Sequence, residues 1–176
     1  MTNPPESTDP RYPIGPFTWP ESITPADRRK LLNALAATPE LLRAAVDGLT
    51  PAQLNTPYRP GGWTIRQTVH HVADSHMNAY IRCRFALTED APVIKPYAEQ
   101  LWAELSDAAT AEVDISLLLL TALHMRWVLL LESLTEAQWQ RTFVHPVLGP
   151  RRLEETLALY AWHGTHHIAH ITNAPL

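Results

Sequence analysis

The chain has 176 residues, of which 45% are hydrophobic and 18% are charged, and this length and composition fit one compact globular domain. Its formal net charge of −4 provides no basic surface for phosphate groups, so we expect no nucleic-acid partner. A single cysteine, Cys83, excludes an internal disulfide framework.

The N-terminal segment, residues 1–22, is rich in proline and cannot propagate a helix. We therefore predict an extended arm, whose aromatic side chains hold it against its own domain or against a partner subunit. The first ten residues, MTNPPESTDP, lack the basic and apolar regions of a signal peptide. Together with the lone cysteine, this predicts a cytoplasmic protein.

The domain that follows, residues 23–176, is predicted to begin with a long helix. Thr24 supplies a hydroxyl cap, and Pro25 stands where no backbone N–H is needed, so the helix starts here. It runs to Gly48, and Pro39 in its interior predicts a kink or a short break.

A second long helix is predicted from about residue 65 to residue 87. The segment TIRQ, which starts at Thr64, has the capping-box pattern, in which threonine and glutamine satisfy each other's backbone N–H groups. Apolar side chains recur along one side of this helix at a period of 3.6, and they put Cys83 in the core as a small hydrophobic residue. Residues 88–113 contain two prolines and predict a long connection with one short helix.

The third predicted long helix, about residues 115–134, is apolar around most of its circumference. Such a helix lies at the centre of a fold or in an interface. Its longest apolar run, residues 115–123, contains a serine and a threonine and is far shorter than the ~20 residues needed to span a bilayer. We therefore expect a soluble protein with no membrane partner.

The C-terminal part contains an extended turn region, FVHPVLGPRR, and a fourth long helix over about residues 152–172. Because no strand-like alternation accompanies the helices, we predict an all-α fold. The expected architecture is a four-helix bundle with short extra helices and an extended proline-rich N-terminal arm. The long connection between the second and third helices means that a simple up-down-up-down order is not assured.

The fourth helix carries the segment AWHGTHHIAH, with four histidines in eight positions. On a helical wheel His163 and His167 border the apolar side, and residues four apart stand roughly 5–6 Å apart at Cβ, so these imidazoles can converge on one ion. Paired histidines are also common on solvated helix faces. His166 falls on the opposite side and should face water. The pair lacks the glutamate of H-E-x-x-H, so peptide hydrolysis is not indicated.

A third ligand would support a metal site, and the segment VHHVADSH of the second helix offers His70, His71 and His76. Periodicity alone favours His76, which falls in the middle of the apolar stripe. His71 lies near the polar margin of that stripe.

Several segments together resemble one known family. GGWTIRQTVHHVADSHMNAYIR, AWHGTHHIAHI, HMRWVLLL and YPIG are similar to the DinB-like superfamily, and specifically to its YfiT-like branch of metal-dependent hydrolases. The resemblance implies a four-helix bundle whose metal is held by three histidines. One of them stands eight positions after a tryptophan, which is His71 counted from Trp63, and the others are the pair His163 and His167. His76 then becomes a buried structural histidine.

The resemblance also implies a homodimer with one divalent ion per subunit, and three neutral imidazoles suit zinc or nickel. A position left open on such an ion can activate water for hydrolysis. It can equally hold a low-molecular-weight thiol such as bacillithiol as the thiolate, for transfer to a small-molecule electrophile. Relatives resemble both hydrolases and bacillithiol S-transferases. The alternative is a non-catalytic metal-binding or stress-response bundle dimer.

Other polar residues have no decided role from the sequence, and no general acid or base is identified. Asp74, one turn after the proposed third ligand, either orients a ligand ring or is a solvated acid. Asn78 and Arg82 continue the same side of the helix, where a polar substrate or solvent can meet them. We expect His124 and His145 to be structural.

Overall fold

A computed structural model describes residues 9–176 of the chain, so the first eight residues of the predicted arm lie outside the described range. Within that range the chain forms eight helices and one two-stranded sheet. Four of the helices are long, and the others are single turns or slightly more. Their bounds are α1 Pro25–Val46, α2 Pro51–Leu54, α3 Ile65–Thr88, α4 Glu99–Ala103, α5 Ser106–Thr110, α6 Val113–Glu132, α7 Glu136–Trp139, β1 Thr142–His145, β2 Gly149–Arg152 and α8 Leu153–Thr172.

The four long helices form the predicted four-helix bundle. Helix α1 packs against α6 and α8, and α3 packs against the same two helices. The first and second long helices, α1 and α3, therefore lie at opposite corners of the bundle, and so do the third and fourth, α6 and α8. This arrangement differs from a simple up-down-up-down order and is made possible by the long connection that contains α4 and α5.

Of the two outcomes predicted at Pro39, the short break does not occur, because α1 continues through this residue. Proline has no backbone N–H, so the carbonyl four residues earlier, that of Leu35, loses its helical donor. The side chain of His124 on α6 supplies a replacement, with 2.8 Å between its Nδ1 and the Leu35 oxygen. A partner from a neighbouring helix therefore satisfies the carbonyl that the proline leaves free.

A small sheet stands where we expected only an extended turn. Strands β1 and β2 pair in antiparallel fashion, with Phe143 opposite Arg151 and His145 opposite Gly149. Gly149 has a φ of 73°, a backbone conformation that glycine adopts without steric cost. The hairpin contacts both α3 and α8 and thereby brings two more basic side chains, His145 and Arg151, to the groove between those helices.

The apolar core of the bundle is divided into two clusters by a polar layer. Each long helix contributes to both clusters, and each carries polar or small residues between its two contributions. In this layer lie Thr38 of α1, His76 of α3, His124 of α6 and His163 of α8, and the first three are almost fully buried. Buried polar groups need hydrogen-bond partners, so the layer is expected to be internally connected.

Helix α6 buries one side and exposes the other. Leu117, Leu120 and Trp127 lie in the core, whereas Leu118 and Leu129 are 66% and 67% exposed. By length and composition alone this helix is apolar enough to cross a bilayer, although its longest uninterrupted apolar run is short. Its packing against α1 and α3 makes it a component of the bundle core.

The described part of the arm, residues 9–22, contains no helix and lies against α8. The rings of Phe17 and Trp162 are 5.6 Å apart at their centroids, and those of Tyr12 and His166 are 6.2 Å apart. The arm therefore packs on its own domain, over the side of α8 that the sequence assigned to solvent.

Candidate metal centre

Three histidines from two helices meet in the groove between α3 and α8. The capping box at Thr64 fixes the start of α3, which places His71 in the second turn of that helix. His163 and His167 stand one turn apart on α8 and face it. One ring nitrogen from each histidine lies within 4.8 Å of the other two, and the Nε2 atoms of His71 and His163 are 3.4 Å apart.

A chain of hydrogen bonds through the polar layer orients the ring of His163. The Leu35 carbonyl can only accept, so Nδ1 of His124 donates to it at 2.8 Å. In a neutral ring, Nε2 of His124 is then the acceptor for Nδ1–H of His76, at 2.9 Å. Nε2 of His76 in turn accepts from Nδ1–H of His163 at 3.1 Å. This fixed sequence of tautomers leaves Nε2 of His163 with a free lone pair.

A second, shorter chain does the same for His167. The backbone carbonyl of Arg11, in the arm, accepts from Nε2–H of His170 at 3.1 Å. Nδ1 of a neutral His170 is then an acceptor, and Nδ1 of His167 lies 3.2 Å from it. His167 therefore donates through Nδ1 and keeps the lone pair on Nε2. His170 also stacks on Tyr58, with the ring centroids 4.0 Å apart.

The electrostatic environment keeps the three rings neutral. Burial, followed by the neighbouring histidines, lowers the pKa of His71 to about 4. Burial in the same way holds the pKa of His163 and of His167 well below the usual histidine value. At neutral pH all three rings therefore present lone pairs rather than positive charge, which is the form that binds a metal.

The residues fit a divalent metal ion by the chemistry of their donors. Three neutral nitrogens suit zinc or nickel, and a metal-bound histidine usually donates its other ring N–H to an outer partner, as His163 and His167 do. Cys83 does not complete the set, because it is buried among apolar side chains and burial raises the pKa of its thiol to about 12. The group of potential ligands within residues 9–176 has three members.

The three histidines form one wall of a cavity of about 330 Å³. Trp63 lies against His71, with 4.5 Å between the ring centroids. Burial raises the pKa of Tyr97 and of Tyr160, so both phenols keep their protons at neutral pH. The remaining lining residues are Ser75, Arg82, Pro96, Glu99, His145, Trp162 and His166.

Comparison with known proteins identifies the family. The sequence profile of the DinB superfamily matches residues 34–171. The chain belongs to the DinB superfamily. The resemblance stated from the sequence is therefore confirmed.

The similarity to individual DinB-superfamily members extends over nearly the whole chain. YfiT of Bacillus subtilis is 51% identical over 92% of this chain and 91% of its own length. A relative from Bacillus licheniformis is 51% identical over 92% of both proteins, and one from Bacillus mycoides is 52% identical over 94% of this chain and 95% of its own. All three are named as candidate metal-dependent hydrolases.

Solved structures agree with the fold. The structure of YfiT from Bacillus subtilis, described as a probable metal-dependent hydrolase with an unusual four-helix bundle topology, has a TM-score of 0.91 with 51% identity and covers 93% of this chain and 94% of that one. A second four-helix bundle protein has a TM-score of 0.55 with 24% identity, over 80% of this chain and 94% of that one, and shares the fold.

The structure separates the residues that the sequence left as alternatives. His71 joins the pair on α8, whereas His76, which periodicity favoured, lies behind His163 in the polar layer. His70 points elsewhere and bonds Ser116 of α6. Asp74 is partly buried, and burial raises the pKa of its carboxyl to about 6, but it is not a member of the histidine group.

The prediction that His166 faces water is wrong. The arm covers its side of α8, so this ring is only 6% exposed, stacks on Trp162 and lines the cavity. Its Nδ1 is buried without a hydrogen-bond partner among the described residues. Burial lowers the pKa of His166 to about 4, so the ring is neutral.

Sequence reasoning missed two histidines that belong to the hydrogen-bond chains behind the candidate ligands. His124 was expected to be structural without a partner, and His170 was not given a function. His170 lies three rather than four residues after His167, and His124 stands on α6, which carries no candidate ligand. Each acts through another histidine. The useful signal was the Pro39 position in α1, because a helix proline frees a buried carbonyl that needs a donor.

Proposed function

We propose that this DinB-superfamily protein is a metal-dependent enzyme that holds one divalent ion, zinc or nickel, on His71, His163 and His167. The observation that carries the proposal is the convergence of three neutral imidazoles at the wall of a cavity. An ion bound there would lower the pKa of a water molecule or a thiol and supply a nucleophile at neutral pH.

The cavity residues favour a nucleophile that comes from outside the chain. Ser75 is the single aliphatic hydroxyl in the lining, and Cys83 has a thiol whose pKa is too high for a thiolate. The attacking group is therefore water, which makes the protein a hydrolase, or a low-molecular-weight thiol such as bacillithiol, which makes it an S-transferase. Of the two, thiol transfer is the chemistry to test first.

The aromatic walls hold and orient a small organic electrophile. Trp63, Tyr97 and Trp162 enclose the cavity beside the histidines, and aromatic faces bind apolar parts of a substrate while excluding water. The protonated phenols of Tyr97 and Tyr160 can donate hydrogen bonds to a substrate oxygen. These residues bind and position the electrophile, and they do not form a covalent bond with it.

Elemental analysis tests the metal assignment. Protein purified without chelator is expected to contain about one zinc or nickel ion per subunit, and His71→Ala, His163→Ala and His167→Ala are each expected to lose most of it. His70→Ala is the matched control on α3 and should keep its metal. Unchanged metal in the three variants would contradict the site.

A panel of electrophiles then identifies the reaction. The metal-loaded protein is incubated with activated esters, and with chlorinated and epoxide electrophiles, with and without bacillithiol. Conjugation that depends on both metal and thiol supports S-transfer, and ester cleavage without thiol supports hydrolysis. Inactivity in both panels, with metal still bound, would favour a non-catalytic metal-binding protein.

We also propose that the protein is a cytoplasmic homodimer that has no nucleic-acid or membrane partner and that uses the exposed side of α6 for self-association. Leu118, Met125 and Leu129 are each about two-thirds exposed on this helix, and a continuous apolar surface of this kind usually marks an interface. Sedimentation equilibrium should give a dimer for the unchanged protein and a monomer for Met125→Glu combined with Leu129→Glu. A monomeric unchanged protein would contradict this part of the proposal.

A further inference from the structure

A second, smaller cavity of about 70 Å³ adjoins the histidine cavity. Arg82, His145 and Tyr160 line both cavities, so the two are joined at these side chains. The small cavity lies under the β1–β2 hairpin and is closed by Trp19 of the arm and by Arg151 of β2. It is large enough for a group of a few atoms and too small for a second substrate.

Two arginine side chains line this cavity and have no acidic partner among residues 9–176. The Nε atoms of Arg82 and Arg151 are buried and have no hydrogen-bond partner among the described residues. Arg151 donates to the Leu148 carbonyl at 2.7 Å and stacks on Trp19, with 4.1 Å between its guanidinium carbon and the ring centroid. A buried donor without a partner costs free energy, so a ligand that satisfies both guanidinium groups would be favoured.

Elsewhere in residues 9–176 a buried arginine is satisfied by protein groups, either through an ion pair or, as at Arg66, through the Asn55 amide and the Ala111 carbonyl. Arg28, which is buried, contacts Glu154 at 3.2 Å, and Arg152 contacts the same carboxylate at 2.9 Å. Within residues 9–176 neither Arg82 nor Arg151 makes such an ion pair. Glu99 is the carboxylate that lines the larger cavity, and it is exposed to solvent.

His145 adds a third donor to the same place. Its Nδ1 accepts from the backbone N–H groups of Val147 and Leu148, at 3.2 and 3.3 Å. In the neutral ring the proton is therefore on Nε2, which can donate. Burial, then the charges of Arg82 and Arg151, lower the pKa of His145. The part of that shift that comes from Arg82 and Arg151 places their positive charge beside the His145 ring.

We propose that Arg82, Arg151 and His145 form a carboxylate-binding subsite for the substrate that reacts at the histidine cluster. A carboxylate offers two coplanar oxygens and a single negative charge, which match guanidinium and imidazole donors without a cation. The subsite rests on the function proposed above, since it specifies the chemical class of molecule that the cavity accepts.

The positions on α3 indicate the shape of that molecule. His71 and Arg82 are eleven residues apart, which corresponds to about 16 Å along the helix axis, and the long arginine side chain shortens this span. The bound molecule is therefore elongated. Its reacting group lies at the histidines, its middle lies beside Tyr160, and its carboxylate lies under the hairpin.

Calorimetric titration with succinate tests the subsite without any turnover. Succinate is titrated into zinc-loaded protein and into chelator-treated, metal-free protein whose folding is verified by circular dichroism. We expect saturable binding in both forms, with dissociation constants that agree within about threefold. Arg82→Gln and Arg151→Gln, which lie on different elements, should each weaken binding by tenfold or more. Arg82→Lys keeps the positive charge but loses the paired N–H donors of the guanidinium group, and it should weaken binding less than Arg82→Gln.

Arg84→Gln is the matched control, because Arg84 lies on the same helix but is exposed and bonds Tyr80. It should bind succinate as the unchanged protein does. Absence of saturable binding, binding that needs zinc, or binding that survives both glutamine variants would overturn the subsite. Tighter binding of inorganic phosphate than of succinate would overturn the assignment to a carboxylate. Failure of the metal site would appear separately, as unchanged metal content in the histidine-to-alanine variants.

Discussion

Nδ1 of His163 donates a hydrogen bond to Nε2 of His76 across 3.1 Å. His163 belongs to the candidate metal group, whereas His76 is fully buried and lies outside it. The buried ring thus determines which nitrogen of the outer ring carries a lone pair. Outer partners of this kind orient metal-binding histidines and raise their basicity.

Replacement of the buried partner should weaken metal binding without removing a ligand. In His76→Phe the Nδ1–H of His163 loses its acceptor, so its tautomer is no longer fixed. We expect the dissociation constant for zinc, measured by competition with a chromophoric chelator, to rise roughly 10- to 100-fold. His70→Phe is the control, since His70 is also a buried histidine of α3 but bonds Ser116. Equal zinc affinity in the two variants would argue against the hydrogen-bonded chain.

The buried histidines should make the metal-free protein sensitive to acid. Burial lowers the pKa of His71 and of His124 to about 4, whereas the unfolded chain titrates near 6.5. Between these pH values the unfolded state binds more protons than the folded state, so the free energy of unfolding increases with pH. The stabilising contribution of the neutral histidines is fully present above pH 6.5.

Urea unfolding of chelator-treated protein at several pH values measures this effect. We expect a constant free energy of unfolding from pH 7 to pH 8 and a loss of several kcal/mol between pH 6.5 and pH 4.5. Bound zinc should shift the loss to lower pH, because protons and metal compete for the same nitrogens. A flat profile down to pH 5 would contradict the lowered pKa values.

Gly164 is predicted to be essential for the close approach of α1 and α8. A Cβ atom at this position would lie 2.7 Å from both Cγ2 and Oγ1 of Thr38. Gly164→Ala should therefore lower the free energy of unfolding by about 1–3 kcal/mol, despite the higher helix propensity of alanine. Because Gly164 lies between His163 and His167, the same variant should also weaken zinc binding.

A double-mutant cycle checks the cause. Thr38→Ala removes both close atoms, so the cost of Gly164→Ala should fall by at least about 1 kcal/mol in that background. Additive effects of the two substitutions would show that the contact with Thr38 is not responsible.

Glu154 is predicted to contribute more to stability than a surface carboxylate. It is 3% exposed and contacts Arg28 at 3.2 Å and Arg152 at 2.9 Å. Glu154→Ala leaves the buried Arg28 guanidinium without this partner and should cost about 3 kcal/mol in urea unfolding. Asp114→Ala removes an exposed pair with Arg43 and should cost less than about 1 kcal/mol. Similar costs for both would contradict the difference in burial.

The fold could be predicted because local signals determine most of it. The capping residues Thr24 and Thr64 mark the helix starts that the structure shows, and helical periodicity identifies the sides that form the core. The spacing of His163 and His167 likewise places both on one side of α8 without any knowledge of the partner helix. The short break that was one predicted outcome at Pro39 does not occur, because the donor that replaces its missing N–H comes from a different helix, at His124.

The third histidine could not be chosen from periodicity, because a helical wheel reports burial rather than direction toward a partner. His76 is indeed the more buried ring, yet it lies behind His163, while His71 lies at the groove. His166 was assigned to solvent for a similar reason, since the wheel cannot show that the arm covers it. Both outcomes depend on how segments that are distant in the sequence pack together. The local sequence does not contain this information, whereas the family motif identifies His71.

The hydrogen bond from His170 to the Arg11 carbonyl joins positions 159 residues apart. His170 also bonds His167, a member of the candidate metal group. The two bonds therefore form a path from the arm to that group. Thermodynamic linkage is reciprocal: if an ion at the histidine group strengthened the bond from His167 to His170, it would also strengthen the attachment of the arm, and release of the arm would weaken ion binding by the same factor. Residues 9–22 and the candidate metal group, which lie at opposite ends of the sequence, thus share one hydrogen-bonded path.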